Sequence, residues 1–265
     1  MSVAHGHSIY AASNGRRARF SFATWYDDQE NQFAALESRD SQLNPGGGPS
    51  SLLSNAVSSR HITVDGLHIG TVTSVSESIA EGVIPSHILQ TLGWDFQSSS
   101  VMPDKLLRSL VADRGPGGSS IPAPYATACR LAFDQISVNG HLNTTRLLEH
   151  TSNDNLRSFL KRVQAVIWNR RFFEVSVVDK RPNLPGSGGK LHGWGPPDAY
   201  CGKGELILCI LFGCSVPCIL RKLPDKEGQY QFMGETYVYG LMDGEAVSSL
   251  TEEEIEGKKV EWMIV

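Results

Sequence analysis

The feature that most limits the fold is a change of hydrophobic period at Arg170. Before it, apolar residues recur three or four apart. Ile88, Leu89, Leu92 and Phe96 follow Pro85, and Leu106, Leu107, Leu110 and Val111 follow Pro103. From Ser152 to Trp168 the residues Leu156, Phe159, Leu160, Val163, Val166 and Ile167 make one stripe, with Ser152 or Asn153 as the cap. This spacing predicts amphipathic helices over 85–96, 104–113 and 152–168, with a further helix over 125–136. After Arg170 the apolar runs shorten to strand length, at 171–178, 205–211, 216–220, 230–234, 237–240 and 260–265, with Gly- and Pro-rich turns between them. Helices followed by short strands predict an α+β chain: a small antiparallel β-barrel or sandwich with a helical layer from the middle of the chain.

Upstream, Ser8 to Trp25 reads as two short strands around Asn14-Gly15. Asp27 to Ser59 reads as a flexible excursion centred on Pro45 to Ser51. His61 to Val75 is strand-like, and Asp65-Gly66 is a dipeptide compatible with a hairpin turn inside it. The whole chain, 1–265, is expected to be a single domain with N-terminal strands and a loop to residue 80, helices over 81–169 and a β-rich part over 170–265.

Composition matters for what it excludes. A net charge of −4 gives no electrostatic attraction to nucleic acid or to an anionic membrane surface. The longest apolar run, Leu206 to Leu220, is too short for a membrane span and contains Gly213 and Pro217. Residues 1–15 have neither the apolar core of a signal peptide nor the pattern of a transit peptide. The five cysteines are odd in number and lack zinc-type spacing, which predicts reduced core residues in a cytoplasmic protein.

Motifs for covalent, metal and phosphate chemistry fail one by one. Gly186-Ser187-Gly188-Gly189-Lys190 has Leu184 where a phosphate loop needs its first glycine, and Leu191 where it needs Ser or Thr. No Gly-x-Ser-x-Gly elbow is present. His61 and His68 would need to meet across a hairpin to share a metal. No cofactor is therefore expected. The densest stretch of chemistry is Gln231 to Ala246, with Glu235, Asp243 and Glu245 set at glycine turns. Acids in such turns are expected to cap backbone N–H groups or to pair an arginine such as Arg171 or Arg221. Trp194, Tyr200, Tyr237 and Tyr239 are candidates for a cavity wall with hydroxyls.

An ordered series of motifs carries a family resemblance. Arg170-Arg171-Phe172-Phe173 is followed by Gly193-Trp194-Gly195-Pro196, then Gly204-Glu205, then Gly213, Pro217 and Leu220-Arg221. Tyr230-x-Phe232-x-Gly234-Glu235-x-Tyr237-Val238-x-Gly240-x-Met242-Asp243-Gly244-Glu245 completes it. With Tyr10-Ala11-Ala12-Ser13 and Leu67 to Val72, this resembles the C-terminal region of fungal heterokaryon-incompatibility (HET) proteins. The chain departs from that pattern at Glu205, where the family tends to have Asp, and at Tyr239, where it tends to have His. The N-terminal HET domain, the part linked to cell death, has no counterpart here, so the resemblance implies a stand-alone tail.

The resemblance implies two functions. One is a cofactor-independent cyclase of fungal secondary metabolism, such as a pericyclase of Diels-Alder type acting on a terpene or polyketide. It would hold a hydrophobic small molecule in an apolar pocket and polarise it with hydrogen-bond donors. On that reading Tyr239, Arg221 and His192 are the catalytic donors, while Trp194, Tyr237, Tyr200 and Phe232 bind substrate. The other is a non-enzymatic recognition or regulatory module in fungal incompatibility. A closed apolar cavity with convergent donors would favour the first, and an exposed apolar patch the second.

Overall fold

The computed structural model describes residues 61–95, 102–178, 190–200, 202–248 and 250–265, without the side chains of 199 and 200. The N-terminal strands and loop expected before residue 60 lie outside the described residues, as does Cys201.

Strand β1 (Ile62–Ser78) is the spine of the sheet. Its 17 residues pair antiparallel with three strands: β10 (Lys259–Ile264) along Ile62–Leu67, β6 (Leu206–Leu211) along Gly66–Thr71, and β4 (Arg171–Val177) along Gly70–Ser78. From β6 the sheet continues through β7 (Cys218–Lys222) and β8 (Gln229–Glu235), and β8 meets β10 in a short parallel pairing. From β4 it continues through β5 (Lys190–Gly195) to β9 (Tyr237–Val238). A two-stranded ladder, β2 (Val83–Ile84) with β3 (Leu142–Asn143), stands apart. The protein is thus α+β, with one large and mainly antiparallel sheet. That eight-stranded sheet is not a closed barrel as a whole, because it runs on to an edge at β9.

The turn expected at Asp65-Gly66 does not form. Gly66 lies within β1 at the point where both neighbours pair with it, Val260 on one side and Leu211 on the other. A Cβ there would stand 2.2 Å from the Ile210 carbonyl oxygen. The glycine permits close strand approach and does not reverse the chain. Because β1 is continuous, His61, just before its first residue, and His68 within it do not face each other across a hairpin.

The helical layer follows the three-four spacing: α1 (Ser86–Thr91), α2 (Asp104–Val111), α3 (Pro124–Phe133), α4 (Thr144–His150) and α5 (Asp154–Ile167). Asn153 caps α5 by accepting from the Leu156 N–H at 3.0 Å. Two short helices follow β9: α6 (Glu245–Ser248) and α7 (Glu252–Lys258), the second opened by a capping box between Thr251 and Glu254. No described helix is long and apolar enough to cross a membrane.

The periods in the sequence fix which faces are buried. The stripe of α5 packs with α1–α4 against one sheet face, at Phe172, Trp194 and Tyr237. The opposite face, with Phe173, Val175, Leu191 and Val238, joins Leu67, Ile69, Leu208 and Ile210 and is covered by Ala246, Val247 and Ile255 of α6 and α7. A third group, Val64, Cys209, Leu211, Cys214, Cys218 and Leu220, surrounds Trp262. Strand β6 is buried on both faces, which is why it reads as the unbroken apolar run Leu-Ile-Leu-Cys-Ile-Leu. The four described cysteines are free and buried, and burial pushes the Cys129 thiol up to about 12.

The two neighbours Trp262 and Met263 test the seating of β10. Trp262 is buried in the third group, whereas Met263 is substantially exposed. Trp262→Ala is expected to cost about 3–5 kcal/mol in urea denaturation, and Met263→Ala only about 0.5 kcal/mol.

Candidate functional site

The site is assembled where α2 crosses β4, β5 and β9. Register sets its members: Phe172 lies opposite Trp194, Glu174 opposite His192, and Trp194 opposite Tyr237. Positions two apart on a strand share a face, so Phe172, Glu174, His192 and Trp194 all point at the helical layer. Phe172 and Trp194 meet edge to face with centroids 5.1 Å apart, and the His192 ring stacks on Phe172 at 5.9 Å.

The apolar end of this seam is fastened by hydrogen bonds. The Trp194 indole N–H donates to the Ser109 carbonyl at 2.9 Å, and the Tyr237 hydroxyl donates to Asp113 Oδ2 at 2.8 Å. The Asp113 carboxylate also accepts from Arg108 at 3.0 Å. These bonds to Asp113 and Asp104 raise the Arg108 guanidinium further above its ordinary range. Asp113 and its neighbour Ala112 have φ of 57° and 51°, the left-handed region that side chains with a Cβ seldom occupy. Several bonds hold them there. Arg162 donates to the carbonyls of Val111 and Arg114, and Arg114 pairs with Asp243 at 2.5 Å.

The polar end is half-buried. Lys105 Nζ donates to His192 Nδ1 at 3.1 Å and to the Thr91 carbonyl at 3.1 Å. With Nδ1 accepting, the neutral imidazole carries its proton on Nε2, which lies 3.9 Å from Glu174 Oε1, an electrostatic contact too long for a hydrogen bond. Burial lowers the His192 pKa to about 4, helped by Lys105 and opposed by Glu174. Burial also lowers the Lys105 pKa, with Glu174 pulling the other way. The Tyr239 hydroxyl is raised, first by burial and then by Asp104. Its backbone N–H donates to the His192 carbonyl at 3.2 Å. The arrangement offers a lysine N–H beside a neutral imidazole, with the Tyr239 hydroxyl just past β9 in the field of Asp104 and Arg108. Such groups can orient or polarise an acceptor without changing their own charge near neutral pH.

Of the seven residues singled out in the sequence, the structure gathers His192, Trp194, Tyr237 and Tyr239 at this seam. Trp194 and Tyr237 are buried side chains. Arg221 and Phe232 sit on β7 and β8, separated from β5 in the sheet by β6, β1 and β4. The Arg221 guanidinium packs under Gly202 and reaches Gln231 at 3.4 Å, while Phe232 packs with the group around Trp262. Tyr200 ends the 3-10 turn Pro197–Tyr200, and its side chain lies outside the described residues. Two acids of the dense stretch do what acids at turns are expected to do, one pairing an arginine and one accepting from a backbone N–H. Asp243 takes Arg114, and Glu245 accepts from the Asp243 N–H at 2.8 Å.

Lys105, Glu174 and Asp113 were missed in the sequence. The signal for Glu174 was its place two residues after Phe172, which becomes legible once 190–195 is recognised as the partner strand. Lys105 sits beside the apolar stripe of α2 and gave no signal of its own.

Tyr237→Phe leaves Asp113 with one fewer donor in a buried setting, so unfolding free energy is expected to fall by about 1–3 kcal/mol in urea. His192 binds its proton less readily in the folded protein, at about 4, than an unfolded histidine does, at about 6.5. Between those values the unfolded chain holds the extra proton, so stability falls as pH drops from about 6.5 towards 4. His192→Gln is expected to flatten that part of the stability profile; an unchanged slope would contradict the assignment. Compared with protein-family models, with curated proteins and with solved structures, the chain shows no match.

Proposed function

We propose that the chain is a recognition or regulatory module of the kind the heterokaryon-incompatibility resemblance implies, acting by contact and not by turnover. The observation that carries this reading is the fate of the two aromatic donors. Trp194 and Tyr237 are buried, and each gives its hydrogen to the helical layer, at Ser109 and Asp113. A polar hydrogen already given to the protein's own backbone or carboxylate is not free to polarise a bound substrate. Here they fasten one layer of the fold to the other. The return of β10 to β1 supports a barrel-like reading of β1, β6, β7, β8 and β10, the compact body expected of such a tail. On this reading the protein works in the cytoplasm, engages a protein of the incompatibility type and has no nucleic-acid partner.

A specific observation favours a second reading, the cofactor-independent cyclase. Lys105 and His192 are half-buried and hydrogen-bonded to each other, Tyr239 lies half-buried just past the neighbouring strand, and burial moves the pKa of all three. Lys105 and Tyr239 would then polarise a carbonyl of a hydrophobic terpene or polyketide, with His192 holding Lys105 in place.

One experiment separates the two. The purified protein, with no cofactor added, is incubated with a metabolite extract of the producing fungus from which this gene has been deleted. The module reading expects an unchanged metabolite profile, together with saturable calorimetric binding to a full-length heterokaryon-incompatibility protein. A new cyclised product, diminished about tenfold or more by Lys105→Met or Tyr239→Phe, would overturn it and establish the cyclase.

A further inference from the structure

Away from the seam, the turn between α3 and α4 forms a half-open groove of about 480 Å3. That is the size range of small-molecule sites. Its polar lining comes from Gln135, Ser137, His141, Asn143, Arg146 and His150, and no carboxylate contributes to it. Glu149, the acid nearest in sequence to Arg146, is outside the lining.

The hydrogen bonds around the groove decide which atoms remain for a ligand. His141 Nδ1 accepts from the Ser86 backbone N–H at 3.0 Å, so the neutral ring carries its proton on Nε2 as a donor. Asn143 Oδ1 accepts from the Arg146 N–H at 2.9 Å, which commits its oxygen and leaves its NH2 group as the outward end. His150 Nδ1 lies 2.7 Å from the Arg146 carbonyl and must donate to it, since a carbonyl only accepts. Arg146 is exposed, and among the described residues its guanidinium has no carboxylate partner. Three donors, one of them a permanent cation, therefore face a space without a compensating negative charge.

The rest of the lining is apolar. Leu147 is buried at the base, and Val138 is fully exposed at the lip. An apolar side chain and a guanidinium lining one groove suit an amphipathic guest.

We propose that this groove binds a small organic oxyanion, a carboxylate or a phosphate monoester carrying a short apolar group. The oxyanion takes a two-pronged bond from Arg146 and further bonds from His141 Nε2 and the Asn143 amide. The apolar group lies against Val138 and Leu147. The site is independent of the seam, so it stands or falls separately from the recognition and cyclase readings.

Titrations followed by the ring resonances of His141 and His150 at constant pH and ionic strength test it. The probes are inorganic phosphate, butyrate and butyl phosphate. Butyrate and butyl phosphate are expected to give saturable shifts at millimolar concentrations, and the arm that saturates first names the head group. Arg146→Gln is expected to weaken binding about tenfold or more, and Val138→Ser to weaken the butyl compounds about threefold while leaving inorganic phosphate unchanged. Neither variant removes a described contact within the fold, and an unchanged melting temperature confirms that both remain folded. The proposal is overturned if none of the probes saturates, or if Arg146→Gln binds them as the parent protein does.

Discussion

The two hydrogen bonds from β5 and β9 to the end of α2 are the joint on which the rest of the structure depends. Trp194 and Tyr237 come from different strands, yet they reach acceptors only a few residues apart, Ser109 and Asp113. Apart from these and the Lys105–His192 bond, the contact between helical layer and sheet at this crossing is mainly apolar, which is strong but non-directional. These two bonds supply direction. They also explain the unusual backbone beside them. Ala112 and Asp113 adopt left-handed angles because that conformation turns the Asp113 carboxylate back to meet both Tyr237 and Arg108.

The same crossing has a polar end, where burial sets the chemistry. Lys105 and His192 share one hydrogen bond, and burial makes each a weaker base than it would be in water. Glu174 is the counter-charge, and it lies on the same strand face as Phe172, the ring on which His192 stacks. The seam thus passes within a few ångströms from a closed aromatic core to a cluster with exchangeable protons. The apolar half fixes the imidazole, and the polar half determines that it stays neutral near pH 7.

Much of the fold was legible in the sequence, for a physical reason in each case. The stripe of α5 and the double-faced run of β6 are patterns that only burial on one side, or on both, produces. Strand β5 was not legible. Lys190-Leu191-His192-Gly193-Trp194-Gly195 has two glycines and two basic residues, the composition of a loop. It is a strand because Gly193 lets the Tyr237 carbonyl come within 2.1 Å of where a Cβ would sit, an approach no other residue tolerates. Missing that strand hid the pairing of Glu174 with His192, and with it most of the polar seam. The chemistry of the sequence singles out Trp194, Tyr237 and Tyr239, whereas His192, Arg221 and Phe232 join them only through the cyclase reading. The order of motifs along the chain carries no information about which strands lie side by side in a sheet.

The pairing of β1 with β10 has a consequence for how the chain reaches this state. Ile62 meets Ile264, so one edge of the first half of β1 waits for a partner 202 residues further on. During synthesis that edge is made early and satisfied last, while its other edge, from Gly66 onward, can pair with β6 long before. In the interval Ile62 to Leu67 presents open N–H and C=O groups beside Val64 and Leu67, which are buried in the finished protein. Unpaired strand edges next to apolar side chains are where nascent chains stick to one another. The step that completes the sheet is therefore also the one that ends the exposure of its most adhesive edge.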